Sequence, residues 1–169
     1  MMRWFMLDRF VKMEKGKYAK AIRNITLGEG HLHDHFCGFP VMPNTLIIES
    51  LAQTGGILAG YSLDYTKRVI LAKVERAEFF EMALPGDTLE LEAELADLRE
   101  EGCRVQAWAH VADKKVAEVH LMFIHLKDGD LPDLPKENFV FNKRFMSLMK
   151  MSEAFSGVSV SVEKKDADG

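Results

Sequence analysis

Cysteine is scarce in this chain: Cys37 and Cys103 are the only thiols among 169 residues. Two isolated thiols make neither a disulfide framework nor a zinc pattern, and a reducing cytosol is the default setting for such a sequence. Long apolar runs are absent as well. The most hydrophobic stretch, 46–63, is broken by Glu49, Ser50, Gln53, Thr54 and three glycines, which excludes a membrane span there. Neither sign of charge dominates, with 22 Lys and Arg against 26 Asp and Glu and a net charge of −4, so the chain exerts no global attraction on nucleic acid. The apolar start at 1–7 is cut short by Asp8 and Arg9, well before a signal-peptide core would be complete. No internal repeat is present. These absences leave a cytoplasmic, globular chain as the expectation.

What is present suits one domain. Hydrophobic residues make up 47% of the chain, enough for a substantial core, and 28% are charged, enough for a soluble surface. Phe5, Phe10 and Met13 fall near one helical face, so 4–13 reads as a short helix. Residues 17–26 alternate loosely and read as a half-buried strand, followed by a loop rich in glycine and histidine over 28–43. Pro40 and Pro43 hold Val41 and Met42 extended, and Asn44 stands where an N-cap is needed. Over 45–62 apolar residues fall on nearly every face, the mark of a buried helix. In so small a domain only a curved sheet can enclose it. Strand-like segments follow at 68–77, 88–98, 104–111 and 115–126, with turns at Pro85-Gly86-Asp87, at 100–102 and at Asp113-Lys114. The last three form an antiparallel meander, so the fold class is α+β, a long central helix wrapped by an antiparallel sheet. After Leu126 the character changes. Residues 127–138 read as a linker, 142–155 as an amphipathic helix and 163–169 as a polar tail, which divides the chain into 1–126 and a C-terminal extension, 127–169.

Two features carry candidate chemistry. Glu49 lies in the first turns of the buried helix among Leu46, Ile47, Ile48, Leu51 and Ala52, where a carboxyl group is rare unless paired or put to use. Gln53 is one turn further along the same face and in reach of it. The bland alternative is an exposed helix end. The second feature is the cluster His31, His33 and His35 with Asp34, just ahead of the helix, where a neutral imidazole can serve as a base. On an extended segment alternate histidines share a face, so a metal set is a minor alternative, as are plain surface histidines. Cys37 as a nucleophile is a further alternative, with a small buried thiol the more ordinary state.

The run from His35 to Gln53, His-Phe-Cys-Gly-Phe-Pro-Val-Met-Pro-Asn-Thr-Leu-Ile-Ile-Glu-Ser-Leu-Ala-Gln, resembles the signature of the (3R)-hydroxyacyl-acyl-carrier-protein dehydratases of bacterial fatty acid synthesis. Met6-Leu7-Asp8-Arg9 is similar to that family's opening helix, Leu84-Pro85-Gly86-Asp87-Thr88-Leu89 to its turn into a long strand, and 116–123 to its closing strand. The resemblance implies a hotdog fold, paired into a dimer whose sheets join, with the site at the subunit boundary. His35 is then the base from one subunit and Glu49 the acid from the other, with Gln53, the backbone N–H at Asn44, and Gly38 and Phe39 of the loop as substrate contacts. It implies acyl carrier protein as partner and neither metal nor cofactor; Arg68, Arg76, Arg104, Lys114 and Lys115 are candidate carrier contacts. The sequence departs from the family at Cys37 (usually Pro), Phe39 (often His) and Asn44 (usually Gly). A hotdog protein that binds acyl chains or a partner without turnover, and a hotdog acyl thioesterase, are the alternative functions.

Overall fold

The computed structural model describes residues 5–127, 138 and 140–160. The chain runs through β1 (Arg9–Glu14), β2 (Tyr18–Asn24), α1 (Gly30–Asp34), α2 (Asn44–Ser62), β3 (Arg68–Phe79), β4 (Thr88–Leu98), β5 (Gly102–Val111), β6 (Lys114–Leu126) and α3 (Lys143–Ser156). The six strands make one sheet in the order β1-β2-β4-β5-β6-β3, with every neighbouring pair antiparallel. The linker reading falls almost wholly on 128–137, and the polar tail on 163–169, outside the described residues.

The meander follows from alternation. In β4, Leu89, Leu91 and Ala93 are fully buried, while Glu90, Glu92 and Glu94 take the other face. The outward glutamates meet β2: Lys20 lies 2.8 Å from Glu90, and the Tyr18 hydroxyl donates to Glu92 at 2.8 Å. On the inner face, pairing places Ala19 opposite Ala93, Ala93 opposite Ala107 and Ala107 opposite Val119. This row of small side chains gives α2 room to lie close on the sheet, where it touches β2, β3, β4, β5 and β6. Ile47, Leu51, Leu58 and Ala59 of α2 are fully buried. Burial of apolar surface stabilises by about 25 cal/mol per Å², so this packing of helix against sheet contributes to the stability of the fold.

Three expectations are corrected. The segment read as an opening helix is instead β1, an edge strand paired with β2, with Phe10 buried and Asp8 N–H bonded to Ile22. Its apolar spacing fits either period over so short a span. Asn44 is the first residue of α2, not its cap: Pro43 holds the cap position, with no side-chain cap bond. The histidine-bearing stretch contains the short helix α1, so His31 and His33 stand on a helical turn and the same-face premise of the metal alternative is lost.

Candidate active site

The loop from α1 into α2 presents His35. Its carbonyl accepts from Val41 N–H at 2.9 Å, and Phe36 and Phe39 exchange backbone hydrogen bonds, each 2.9 Å, around a turn in which Gly38 takes a positive φ of 81°. Only glycine adopts that backbone without cost. Met42 N–H donates to Ala83 at 2.9 Å, which pins the end of the loop beside the turn into β4. The half-buried His35 ring stacks on Phe36 with centroids 4.2 Å apart. It borders an open cavity of about 360 Å³ shared with Pro43, Asn44, Thr45 and Met82. His35 therefore shares a cavity with the N-terminus of α2, where the first backbone N–H groups have no carbonyl one turn back and the helix dipole is positive. Asn44 also borders a neighbouring groove with Phe39 and Phe80.

Glu49 faces elsewhere. It lies at the edge of a different cavity, about 240 Å³, whose remaining walls are mainly apolar and include Ala52, Gly56, Val69, Leu71 and Phe123. Gln53 Nε2 donates to Glu49 Oε1 at 2.7 Å. The Gln53 carbonyl oxygen accepts from Met6 N–H, also at 2.7 Å. This second bond fixes which end of the amide faces the carboxyl group. Glu49 Oε1 is thus the acceptor of the Gln53 amide. Met6 is a member of the site that sequence reading misses, because it contributes through its backbone and leaves no side-chain signal.

One chain therefore brings His35 together with Asn44, and Glu49 with Gln53, but it places the two pairs on separate cavities. The Glu49 cavity borders β3 through Val69 and Leu71. Strand β3 is an edge of the sheet, and 71–76 are exposed on both faces.

Cys37 is exposed, against the expectation of a small buried thiol, because the Gly38 turn carries it outward. Cys103 is buried, and loss of hydration followed by the charge of Asp97 pushes its thiol up to about 12, so it is no nucleophile. Arg68 is buried at 3% exposure and, contrary to the expectation from sequence, offers a carrier no surface contact. Arg76, Arg104, Lys114 and Lys115 are exposed; Arg76 pairs with Glu78 at 2.6 Å and Lys115 with Glu118 at 2.8 Å. No helix among the described residues is long and apolar enough to cross a membrane.

In sequence and in fold the chain is similar to known proteins. The family model of the FabA-like domain matches residues 2–120. The 3-hydroxyacyl-acyl-carrier-protein dehydratase FabZ of Desulforamulus reducens is 38% identical over 121 residues, covering 71% of this chain and 85% of that protein. The enzyme of the same name from Clostridium tetani is 42% identical over 121 residues, covering 70% and 84%. Among solved structures, the dehydratase heterocomplex ApeI:P from Xenorhabdus doucetiae superposes with a TM-score of 0.66 at 12% identity, over 78% of this chain and 90% of that one. The chain belongs to the FabA-like family and has its hotdog fold.

Proposed function

We propose that His35 and Glu49 together eliminate water from a (3R)-hydroxyacyl thioester, in a site to which two subunits contribute one residue each. The chain is a 3-hydroxyacyl-acyl-carrier-protein dehydratase, a hydro-lyase of fatty acid biosynthesis. The finer reading rests on one observation: the cavity that holds Glu49 is bounded by the exposed edge strand β3, while His35 of the same chain borders another cavity. An unpaired strand edge with Leu71 at 36% and Val74 at 39% exposure is a template for a second copy. Pairing there sets the partner's loop at the mouth of the Glu49 cavity.

The chemistry follows from the groups. Neutral His35 takes the proton from C2 of the acyl chain. The electron pair moves onto the thioester oxygen, which is stabilised by the Asn44 N–H and the positive end of α2. Collapse of that enolate forms the C2–C3 double bond and breaks the C3–O bond. Glu49 Oε2 gives its proton to the departing hydroxyl, which leaves as water. Return of the proton from the imidazolium to the carboxylate restores both groups. Gln53, tied by Met6, keeps the carboxyl oriented throughout. The Asn44 side chain stands where a smaller residue would let the thioester approach more closely, so its backbone is the part assigned to the substrate. The carrier is acyl carrier protein, the working assembly a homodimer or a multiple of one, and the site of action the cytoplasm. The dehydratase core is assigned to 1–126 and a distinct C-terminal extension to 127–169.

The ultraviolet signal of the enoyl thioester tests the pair. His35→Ala and Glu49→Gln are each expected to lower turnover by roughly 10²–10⁴-fold, the usual worth of a positioned acid or base, with melting unchanged. Wild-type turnover in either folded variant refutes the assignment. Binding of acyl thioesters without turnover by the unaltered protein supports the binding-protein alternative instead.

A further inference from the structure

The C-terminal segment, which lies outside the residues matched to the family, reaches the same cavity as the proposed acid. Val140, Phe141 and Phe145 line it together with Glu49, Gln53 and Gly56. Glu49, Gly56 and Gly60 follow one another along α2, and Gly60 lies about 16 Å from Glu49 at 1.5 Å per residue. At Gly60 the Phe141 ring lies directly on the helix, since a Cβ there would fall 2.4 Å from Phe141 Cζ. The aromatic group Tyr65, Phe141 and Phe145, with centroids 4.9–5.9 Å apart, therefore sits at the far end of the stripe that Glu49 begins.

This wall is held in place. Asn138 donates to the Tyr65 and Lys67 carbonyls at 3.3 and 3.4 Å and accepts from Phe141 N–H at 3.0 Å. Asn142 caps α3 by accepting from Phe145 N–H at 3.0 Å, and Gly157 ends the helix in the left-handed conformation. The Tyr65 hydroxyl donates to the Val160 carbonyl. Phe141 and Phe145 are buried at 8% and 4% exposure, and α3 rests on β1.

We infer that Phe141 and Phe145 close the distal end of the acyl cavity and set the longest acyl chain this dehydratase accepts. The inference rests on the function proposed above. A cavity of about 150 Å³ holds a benzene ring, so 240 Å³ takes on the order of ten carbons, a short to medium chain. Longer chains meet two ring faces fixed from both sides.

The test is kcat/KM for carrier-bound 3-hydroxyacyl substrates of increasing length. The unaltered enzyme is expected to fall off steeply beyond about ten carbons. Phe145→Ala moves the fall to longer chains, raising long-chain relative to short-chain kcat/KM by roughly tenfold or more, the scale set by a methylene or two in an apolar pocket. Val140→Ala, at a half-buried position, gives a smaller shift of the same sign and serves if Phe145→Ala does not fold. Met149→Ala removes a buried side chain of α3 that is not part of the cavity wall, and is expected to lower the melting temperature with the length profile unchanged. The inference is overturned if the unaltered enzyme already accepts long chains as well as short ones. It is equally overturned if the folded Phe145→Ala or Val140→Ala variant keeps the wild-type profile, or if Met149→Ala shifts it as much. Absence of dehydration at every length overturns the proposed function instead.

Discussion

Two adjacent glycines in α2 should respond oppositely to alanine. A Cβ at Gly55 would lie 2.8 Å from Val105 Cγ1 and 3.4 Å from both Val105 Cβ and Cγ2. Carbon atoms pack best at about 3.5–4.0 Å, so the closest approach is short by roughly 0.7 Å or more. Rotating the valine offers no escape, because its other branch is already close and a β-branched side chain is stiff. Val105 is 1% exposed on the inner face of β5. Overpacking costs about 1–3 kcal/mol, and a misfit of this size against a stiff, buried side chain belongs to the upper part of that range, about 2–3 kcal/mol, of which the better helix propensity of alanine returns about 1. Gly55→Ala should therefore destabilise the protein by about 1–2 kcal/mol, lowering the melting temperature by roughly 3–6 °C for a chain of this size. At Gly56 the nearest atom is Phe123 Cε1 at 3.3 Å, with the next at 3.8 Å. The ring can yield a few tenths of an ångström toward the Glu49 cavity, so propensity wins and Gly56→Ala should be neutral or up to about 1 kcal/mol more stable. Urea unfolding followed by circular dichroism, at one fixed protein concentration because subunit association contributes, reads both. A Gly55→Ala variant as stable as the parent, beside a Gly56→Ala variant that loses more than about 1 kcal/mol, would refute the helix-on-sheet packing described.

Stability should also fall on mild acidification. Burial, partly offset by the Glu100 and Arg99 backbone, holds His125 below its ordinary 6.5; burial, partly offset by Glu29, does the same for His31. Each is neutral when folded but takes up a proton when unfolded, so stability declines as pH drops below about 6.5, by at most about 1.4 kcal/mol per pH unit for each histidine. The decline should be shallower in His125→Gln, and an unchanged slope in that variant removes His125 as its source. At the free edge, Val74→Lys puts a charge on β3 away from the acyl cavity. Sedimentation should show monomers, with turnover lost alongside. A fully active dimer would move the subunit seam away from β3.

The elements that could be read from sequence are those whose environment is one-sided or uniform. Strand β4 shows itself because glutamates face water between buried Leu89, Leu91 and Ala93. Helix α2 does so because it is enclosed on nearly all sides. Strand β1 was obscured because Phe5, Phe10 and Met13 fit a helical face as well as an edge strand, and only the partner β2 decides between them. The five residues of α1 are too few for any period to appear. Arg68 reads as surface charge because its burial depends on contacts distant in sequence. Within the site, the residue types and spacing of His35, Glu49 and Gln53 suffice to nominate them, but the division of His35 and Glu49 between two cavities is a matter of three-dimensional placement. The apolar face of α3 is visible in its sequence, whereas the cavity it covers is not.

Mixing two inactive variants tests the shared site most directly. Co-refolding equal amounts of His35→Ala and Glu49→Gln yields mixed dimers in half of the assemblies, and in each of these one site recovers both intact residues. A site built across a two-fold boundary therefore returns about one quarter of wild-type dehydration. If His35 and Glu49 of the same chain worked together, every site in the mixture would lack one of them, and the mixture would stay as inactive as its components.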